Sequence, residues 1–499
     1  MRRPRSTLLP VTLILLAAVA QETSGADPVW DSILPLTTNT YYQYTGYARQ
    51  HSIAVDGQGN VHVTWVDQRT VPYQLWYRRF DRAQQVWLPE TMLTNQPVDC
   101  NQPGIACDQS GRVSVVWHTG QYPCYGIWYK RYDGLRWYPD TLIDSGRSER
   151  FGFYPSVSYQ LGGERLHVVW YGIPNGSMHY QVFHKEWRPG SGWSAAEVIT
   201  DALCPHDQVS VAADKNDNLC VTWCGLDLGG GINQVFCRRR VNGFWLGVEL
   251  VSELSNSLTQ YAPFPCADDS GGFHVVWHGR SGNDIYQNIY HRLRTPAGWS
   301  SITVLTVQTM RQQGYPSISC LANGEGHAVW CGQTATSQTS QLYHAWRSQG
   351  GVWSQPTRLT DRSANVCHPA ITGQDSMLHV VWYDVSSGNQ DVYYLRGRLE
   401  STGLEQAGEA PVGDWQFAVF PNPIISGLAT LRLSSQEAKR SSGLVRIYDA
   451  AGRCVFVRPL VIGECAFSMP LDMRGLSSGV YLVEVKHPGL VARTKVVCP

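Results

Sequence analysis

The feature that most restricts the fold is a short strand ending in tryptophan that returns seven times. It reads Val-His-Val-Thr-Trp65, Val-Ser-Val-Val-Trp117, Leu-His-Val-Val-Trp170, Leu-Cys-Val-Thr-Trp223, Phe-His-Val-Val-Trp277, Gly-His-Ala-Val-Trp330 and Leu-His-Val-Val-Trp382. The spacings are 52, 53, 53, 54, 53 and 52 residues. A period this constant marks a chain built from stacked copies of one supersecondary unit.

Each copy has the same parts. An apolar strand comes first, as in Pro155-Ser-Val and Pro316-Ser-Ile. Asp56, Asp108, Asp214 and Asp268 stand nine residues before their tryptophans, and Gly59, Gly111 and Gly271 follow three of them. Asp at the start of a turn and Gly at its left-handed position make a tight hairpin. An aromatic strand follows the tryptophan strand, and Trp87, Trp137, Trp193, Trp245, Trp299 and Trp353 mark a fourth. Four antiparallel strands, seven times over, predict a seven-bladed β-propeller across residues 27–400. The seventh copy lacks its fourth-strand tryptophan. Residues 30–37 carry the missing pattern and are expected to close the ring on the last blade. Composition agrees with this all-β reading: only 16% of residues are charged, against 47 Gly, 19 Trp and 25 Tyr, which excludes disorder and coiled coil. Forty basic and 40 acidic residues give zero net charge, which argues against a nucleic-acid partner.

The two ends differ from the repeat. Arg2, Arg3 and Arg5 precede an apolar run from Leu8 to Ala20, and Ala18 and Ala20 give a small-x-small cleavage pattern, so residues 1–20 read as a signal peptide. No other stretch is long and apolar enough for a membrane span. Residues 401–414 are small and polar and read as a linker. Residues 415–499 hold short alternating strands with Gly turns, a small Ig-like β-sandwich. Its landmarks are Pro421-Asn-Pro423, Tyr448-Asp-Ala-Ala-Gly-Arg453, Gly479-Val-Tyr481 and Lys495-Val-Val497. In order and spacing these closely resemble the C-terminal sorting domain of type IX secretion substrates. The resemblance implies contact with the type IX machinery, export across a bacterial outer membrane, and a secreted, extracellular or outer-membrane-surface location. The cysteines Cys454, Cys465 and Cys498 are not part of that family's pattern.

The blades, in turn, resemble sialidase-like propellers with repeated hairpin-turn boxes. The turn here is Asp-x-x-Gly with Trp six residues on, whereas that family's box is Ser-x-Asp-x-Gly-x-x-x-Trp. The family's Phe-Arg-Ile-Pro motif is absent, and its catalytic members have six blades.

Repetition separates scaffold from site. His62, His167, His274, His327 and His379 all lie three residues before the tryptophan, so they are expected to serve inter-blade packing and not a metal cluster. The Asp-x-x-Gly turns define a lower face; the longer, irregular loops define an upper one, where sites are built. Non-repeating polar and aromatic residues cluster at those upper edges. Arg49, His51, Asn101, Tyr154, His206, Asp207, Tyr261, Tyr315 and His368 stand where the first strands begin. Asp67, His118, Tyr171, His278, Tyr383 and Asp384 follow the tryptophans. Rings stack on the apolar face of a sugar and polar groups bind its hydroxyls, so these are candidate ligand-binding residues for a glycan, with a surface protein as the other class of partner. An enzymatic alternative uses the same residues: His206, His278, Tyr171 and Arg49 would serve a polysaccharide lyase as acid, base and charge neutraliser. A glycosidase by paired carboxylates has no diagnostic pair, so catalytic residues are left unassigned. A protein-docking scaffold is the remaining reading. Asp214-Lys-Asn-Asp-Asn218 reads as a turn, and the 14 cysteines show no zinc spacing; no metal or cofactor and at most a few disulfides are expected.

Overall fold

Strands rich in Val, Ile, Trp and Tyr, punctuated by Asp and Gly, leave no segment with a helical period, and the computed structural model has only strands as regular elements among its described residues. Those residues are 27–399 without 46–50, 121–125, 145–148, 201–204, 227–230, 254–256, 283, 308–309 and 337, then 416–420, 428–434, 441–449, 453–462, 466–474, 476, 479–487 and 490–498. The expected signal peptide and linker lie outside them.

The fold is a seven-bladed β-propeller followed by a small β-sandwich. Blade two shows the plan: Cys100–Cys107, Val113–Thr119, Gly126–Tyr132 and Thr141–Asp144 form one antiparallel meander. The outer strand of blade seven comes from the N-terminal side of the propeller. Val29–Trp30 and Leu34–Pro35 pair with Asp391–Arg398, Trp30 opposite Gly397 and Leu34 opposite Tyr394. Arg396 Nε donates to Asp31 Oδ2 at 2.6 Å and Thr37 Oγ1 to Asp391 Oδ1 at 2.9 Å across the same seam. The innermost strands neighbour one another in turn, and that of blade seven, Cys367–Gln374, packs on Ile53–Val55 of blade one.

All seven repeated tryptophans are at most 1% exposed. Each fills its blade and the gap to its neighbour, where truncation to Ala costs about 3–5 kcal/mol. The hairpin turns share one device. Asp56 Oδ1 accepts the N–H groups of Gln58 and Asn60, and Asp108, Asp214 and Asp268 repeat this at 2.8–2.9 Å. Gly59, Gly111 and Gly271 take φ of 78°, 86° and 83°, and Asp217, at 64°, does so in blade four.

The repeated histidines, expected to serve inter-blade packing, also form a bond inside each blade. Each bonds through Nδ1 within its own blade, because a side chain three places before the tryptophan lies diagonal to one on the third strand, while His167 Nε2 also reaches Asp217 of blade four at 2.8 Å. His62 Nδ1 meets Tyr77 Oη at 2.7 Å and His379 Nδ1 meets Tyr394 Oη at 2.7 Å. His167, His274 and His327 meet His184, His291 and His344 at 3.1, 3.0 and 3.2 Å. In blade four the same diagonal is Cys220 and Cys237, their sulfurs 3.2 Å apart.

The C-terminal part has a three-stranded sheet (Gln416–Phe420, Leu428–Ser434, Ala466–Asp472) and a four-stranded one (Cys454–Ile462, Ser441–Tyr448, Gly479–His487, Leu490–Cys498). Leu431, Met469 and Leu471 of the first share a core with Val445, Ile447, Val483 and Val485 of the second.

Candidate functional site

A bulge in the inner strand of blades two to seven builds the upper mouth. Gln102, Tyr154, Gln208, Ala262, Tyr315 and His368 of blades two to seven all have positive φ, between 46° and 54°. Pairing slips beside each of them, as between Phe153 and Ser156 or Tyr261 and Phe264. Such a bulge re-aims the side chains next to it, and here it turns them toward the channel mouth.

Two aromatic arcs result. One runs from Tyr261 to His278 (5.9 Å between ring centres), Tyr315 (5.3 Å), His368 (4.1 Å), Tyr383 (5.6 Å) and Tyr44 (6.4 Å). Tyr44 Oη then donates to Asn101 Oδ1 at 3.1 Å. The other joins His118 to Phe153 and Tyr154, stacks Tyr154 on Tyr171 at 5.6 Å and 8°, and meets Tyr180 at 5.3 Å. In blade four, His206 is buried with its ring edge-on to Trp223, and Asp207 is half-buried. Asn101, Tyr154, Tyr171 and Tyr261 are half-buried and Tyr315 is exposed, whereas His118, His206, His278, His368 and Tyr383 lie buried behind them. Arg49 lies outside the described residues.

Two of the candidate residues are turned into their blades. Asp67 accepts Trp65 Nε1–H and pairs with Arg69 at 2.6 Å; Asp384 accepts Trp382 Nε1–H at 3.0 Å and pairs with Arg362 at 3.0 Å. Both carboxylates are at most 1% exposed and hold the scaffold.

The channel is closed below the mouth. His51 stands where blades two, three, five, six and seven have the proline after the bulge (Pro103, Pro155, Pro263, Pro316, Pro369). Freed from that ring, its imidazole crosses the axis. Nε2 lies 2.8 Å from Ser156 Oγ of blade three and 3.0 Å from Ser210 Oγ of blade four. Its ring packs at 4.6 Å on Phe264, which in blade five takes the place of the small residues Gly104, Ser156, Ser210, Ser317 and Ala370. Below this floor a cavity of about 270 Å³, lined by inner strands of all seven blades, reaches the Asp turns. Phe264, Tyr44, Phe153 and Tyr180 were not singled out from sequence; for Phe264 the signal was there, a bulky residue at a small position of the repeat.

Two histidines of the mouth, His118 and His278, are held neutral. His118 Nδ1 accepts Tyr154 N–H at 3.3 Å and His278 Nδ1 accepts Tyr315 N–H at 3.2 Å, each from the next blade. Burial away from water pushes their pKa values down, to about 3 for His118 and about 4 for His278. Burial also raises the Tyr315 phenol. The mouth is therefore a set of ring faces and neutral hydrogen-bonding groups, with Asp207 as its described acid. One cluster of metal-ligand types, His167, Glu186 and Asp217, lies elsewhere, between blades three and four. Its charges are already matched by Arg165 on Asp217 (2.7 Å), and by Arg188 and Arg240 on Glu186 (2.5 and 3.1 Å), an arrangement that repels a cation.

No curated protein matches the chain. Residues 418–498 match the family of secretion system C-terminal sorting domains. This segment is a type IX sorting domain. The sorting domain makes the protein a type IX secreted one, extracellular or attached to the cell surface. Among solved structures, the polysaccharide lyase Uly1 has a TM-score of 0.50 at 10% identity, covering 74% of this chain and 99% of that one. A fungal alcohol oxidase of the AA5 family in complex with copper has a TM-score of 0.49 at 13% identity, covering 94% of this chain and 99% of that one. The GH93 α-L-arabinofuranosidase of Fusarium graminearum has a TM-score of 0.41 at 11% identity, covering 72% and 98%. The likeness to the lyase is one of fold.

Proposed function

We propose that this secreted propeller binds a glycan in its upper mouth, ahead of the sorting domain that exports it. The observation that carries the reading is the set of accessible tyrosines, Tyr154, Tyr171, Tyr261 and Tyr315, placed around a mouth with a closed floor. Rings in that number offer stacking faces to sugar rings, and Asn101 and Asp207 add hydroxyl partners. The residues differ from blade to blade, which supports one asymmetric site over seven equal ones. Binding without catalysis is favoured because both histidines bonded to the bulges spend Nδ1 on backbone N–H groups and hold protons weakly.

The test is a glycan and polysaccharide array probed with the purified chain. A hit should weaken at least tenfold in Tyr154→Ala and Tyr315→Ala. Silence across the array would sink the glycan reading and favour a surface protein. A lyase is the second reading, supported by the neighbouring His278 and Tyr261, residue types that move protons. Unsaturated products from the bound polymer would establish it.

A further inference from the structure

A second break in the repeat lies on the flank of the propeller, between blades two and three. Arg79, Arg131, Arg239 and Arg396 occupy one position, each opposite the residue three places before its blade's tryptophan. Three of the four have an acid. Arg79 pairs with Asp81 at 3.1 Å, Arg239 with Glu249 at 2.9 Å and Arg396 with Asp31 at 2.6 Å. Arg131 has no carboxylate within ion-pair distance among the described residues.

Blade two lacks the acid that blade seven uses, and its Asp133, placed as Asp81 is in blade one, is turned elsewhere. Asp31 N–H donates to the Arg396 carbonyl at 2.8 Å, and Tyr138 N–H donates to the Arg131 carbonyl at 2.8 Å. Tyr138 thus stands where blade seven has its acid. Its ring instead lies 4.6 Å from the Arg131 guanidinium, with Trp187 of blade three at 5.5 Å and Arg136 at 5.1 Å from Tyr138. The nearby acids are engaged. Asp133 accepts Leu135 N–H, Arg136 N–H and Tyr138 Oη–H at 2.9 Å, and Asp140 pairs with Lys130 at 2.8 Å. Beside the guanidinium is a cavity of about 320 Å³, walled by Tyr129, Tyr138 and Thr141 of blade two and Trp187 and Trp193 of blade three. That is the low end of the roughly 300–1,000 Å³ range of ligand pockets, room for about one sugar unit.

We infer that this groove binds a saccharide unit bearing a carboxylate or a sulfate ester. A guanidinium stacked on rings keeps its in-plane N–H donors free, and these match the two oxygens of such an anion. The indole and phenol walls take the apolar face of the sugar, which a bare anion lacks. The site is separate from the mouth and does not rest on the mouth being a glycan site.

The experiment titrates the full chain with oligogalacturonides, sulfated galactan oligosaccharides and neutral galactan oligosaccharides, by calorimetry and tryptophan fluorescence. At least one acidic series binds, tenfold or more tighter than the neutral one, and the series that binds identifies the anion as carboxylate or sulfate. Arg131→Gln weakens it at least tenfold, and Arg131→Lys falls between. Tyr138→Asp, which restores the acid that blade seven has, abolishes binding while the thermal melt stays cooperative. Tyr154→Ala, in the mouth, leaves it unchanged. No binding of either acidic series, or binding indifferent to Arg131→Gln and Tyr138→Asp, overturns the assignment.

Discussion

His51 is the residue on which the channel closes. A proline in its place, as in five other blades, has no group to reach across the axis. The imidazole does so, and one nitrogen serves hydroxyls from two further blades. His51→Ala leaves Ser156 and Ser210 without that partner and opens a void under Phe264. Loss of a buried hydrogen-bond partner of this kind costs about 1–3 kcal/mol. Urea unfolding should show that loss in the midpoint with an unchanged slope; an unmoved midpoint would mean the contact carries no stability. The sequence carried the signal for this residue, since a histidine breaks a run of prolines. It did not carry the contact, because only ring closure brings blade one opposite blades three and four.

At the scale of the element, what repeats was legible and what departs from the repeat was not. The seven tryptophan strands, the Asp turns and the N-terminal strand pattern follow from spacing, and each has its expected place in a meander. The bulges were missed. A left-handed φ at Tyr154 or His368 has no signature beyond the proline after it, and the sequence offers no sign that Asp67 and Asp384 turn inward. Two predictions belong here. Asp108→Ala removes the acceptor of Ser110 N–H and Arg112 N–H and the partner of Arg112 Nε at 2.6 Å. It should cost about 1–3 kcal/mol in chemical denaturation, more than a substitution at the exposed Leu135. Deleting residues 27–37 strips blade seven of its outer strand, with Leu36 buried and Trp30 packed on His344 at 5.1 Å. Two large apolar side chains at about 1.5–3 kcal/mol each put the loss near 3–6 kcal/mol. A truncated chain that melts at the full-length temperature would show that the ring does not need this strand.

Across the whole molecule, closure of the ring puts histidines from many blades out of reach of water, and this sets the response to acid. Burial holds His118 and His379 at about 3, and His184 and His278 at about 4, against an ordinary value of 6.5. A histidine whose folded pKa is depressed stabilises the fold while neutral. That contribution is whole above about pH 6.5 and shrinks as protons bind the unfolded chain first. Each such group gives up to ~1.4 kcal/mol per pH unit, so four give ~5 kcal/mol per unit well below pH 6.5. Burial pushes the carboxyls of Asp56, Asp217 and Asp268 up, but they end below 3.8, Asp56 and Asp268 through their histidine and turn partners and Asp217 through His167 and Arg165, so their contribution is lost only at lower pH. Loss between pH 6.5 and 5 therefore belongs to the histidines, and the glutamates held below 4.5, Glu186, Glu197, Glu249 and Glu325, join only below about pH 5. The urea midpoint should fall from pH 7 to 6 and further to 5; a flat midpoint over that range would contradict a neutral, buried histidine core. Binding at the mouth of the folded chain should hold to about pH 5 and fall only as the pH nears 4, where protonating His278 and then His118 removes the acceptors that hold the Tyr315 and Tyr154 bulges. The Arg131 groove has no histidine in its walls. While the chain stays folded, acid should weaken the mouth first and leave the flank site to follow the ionisation of its ligand.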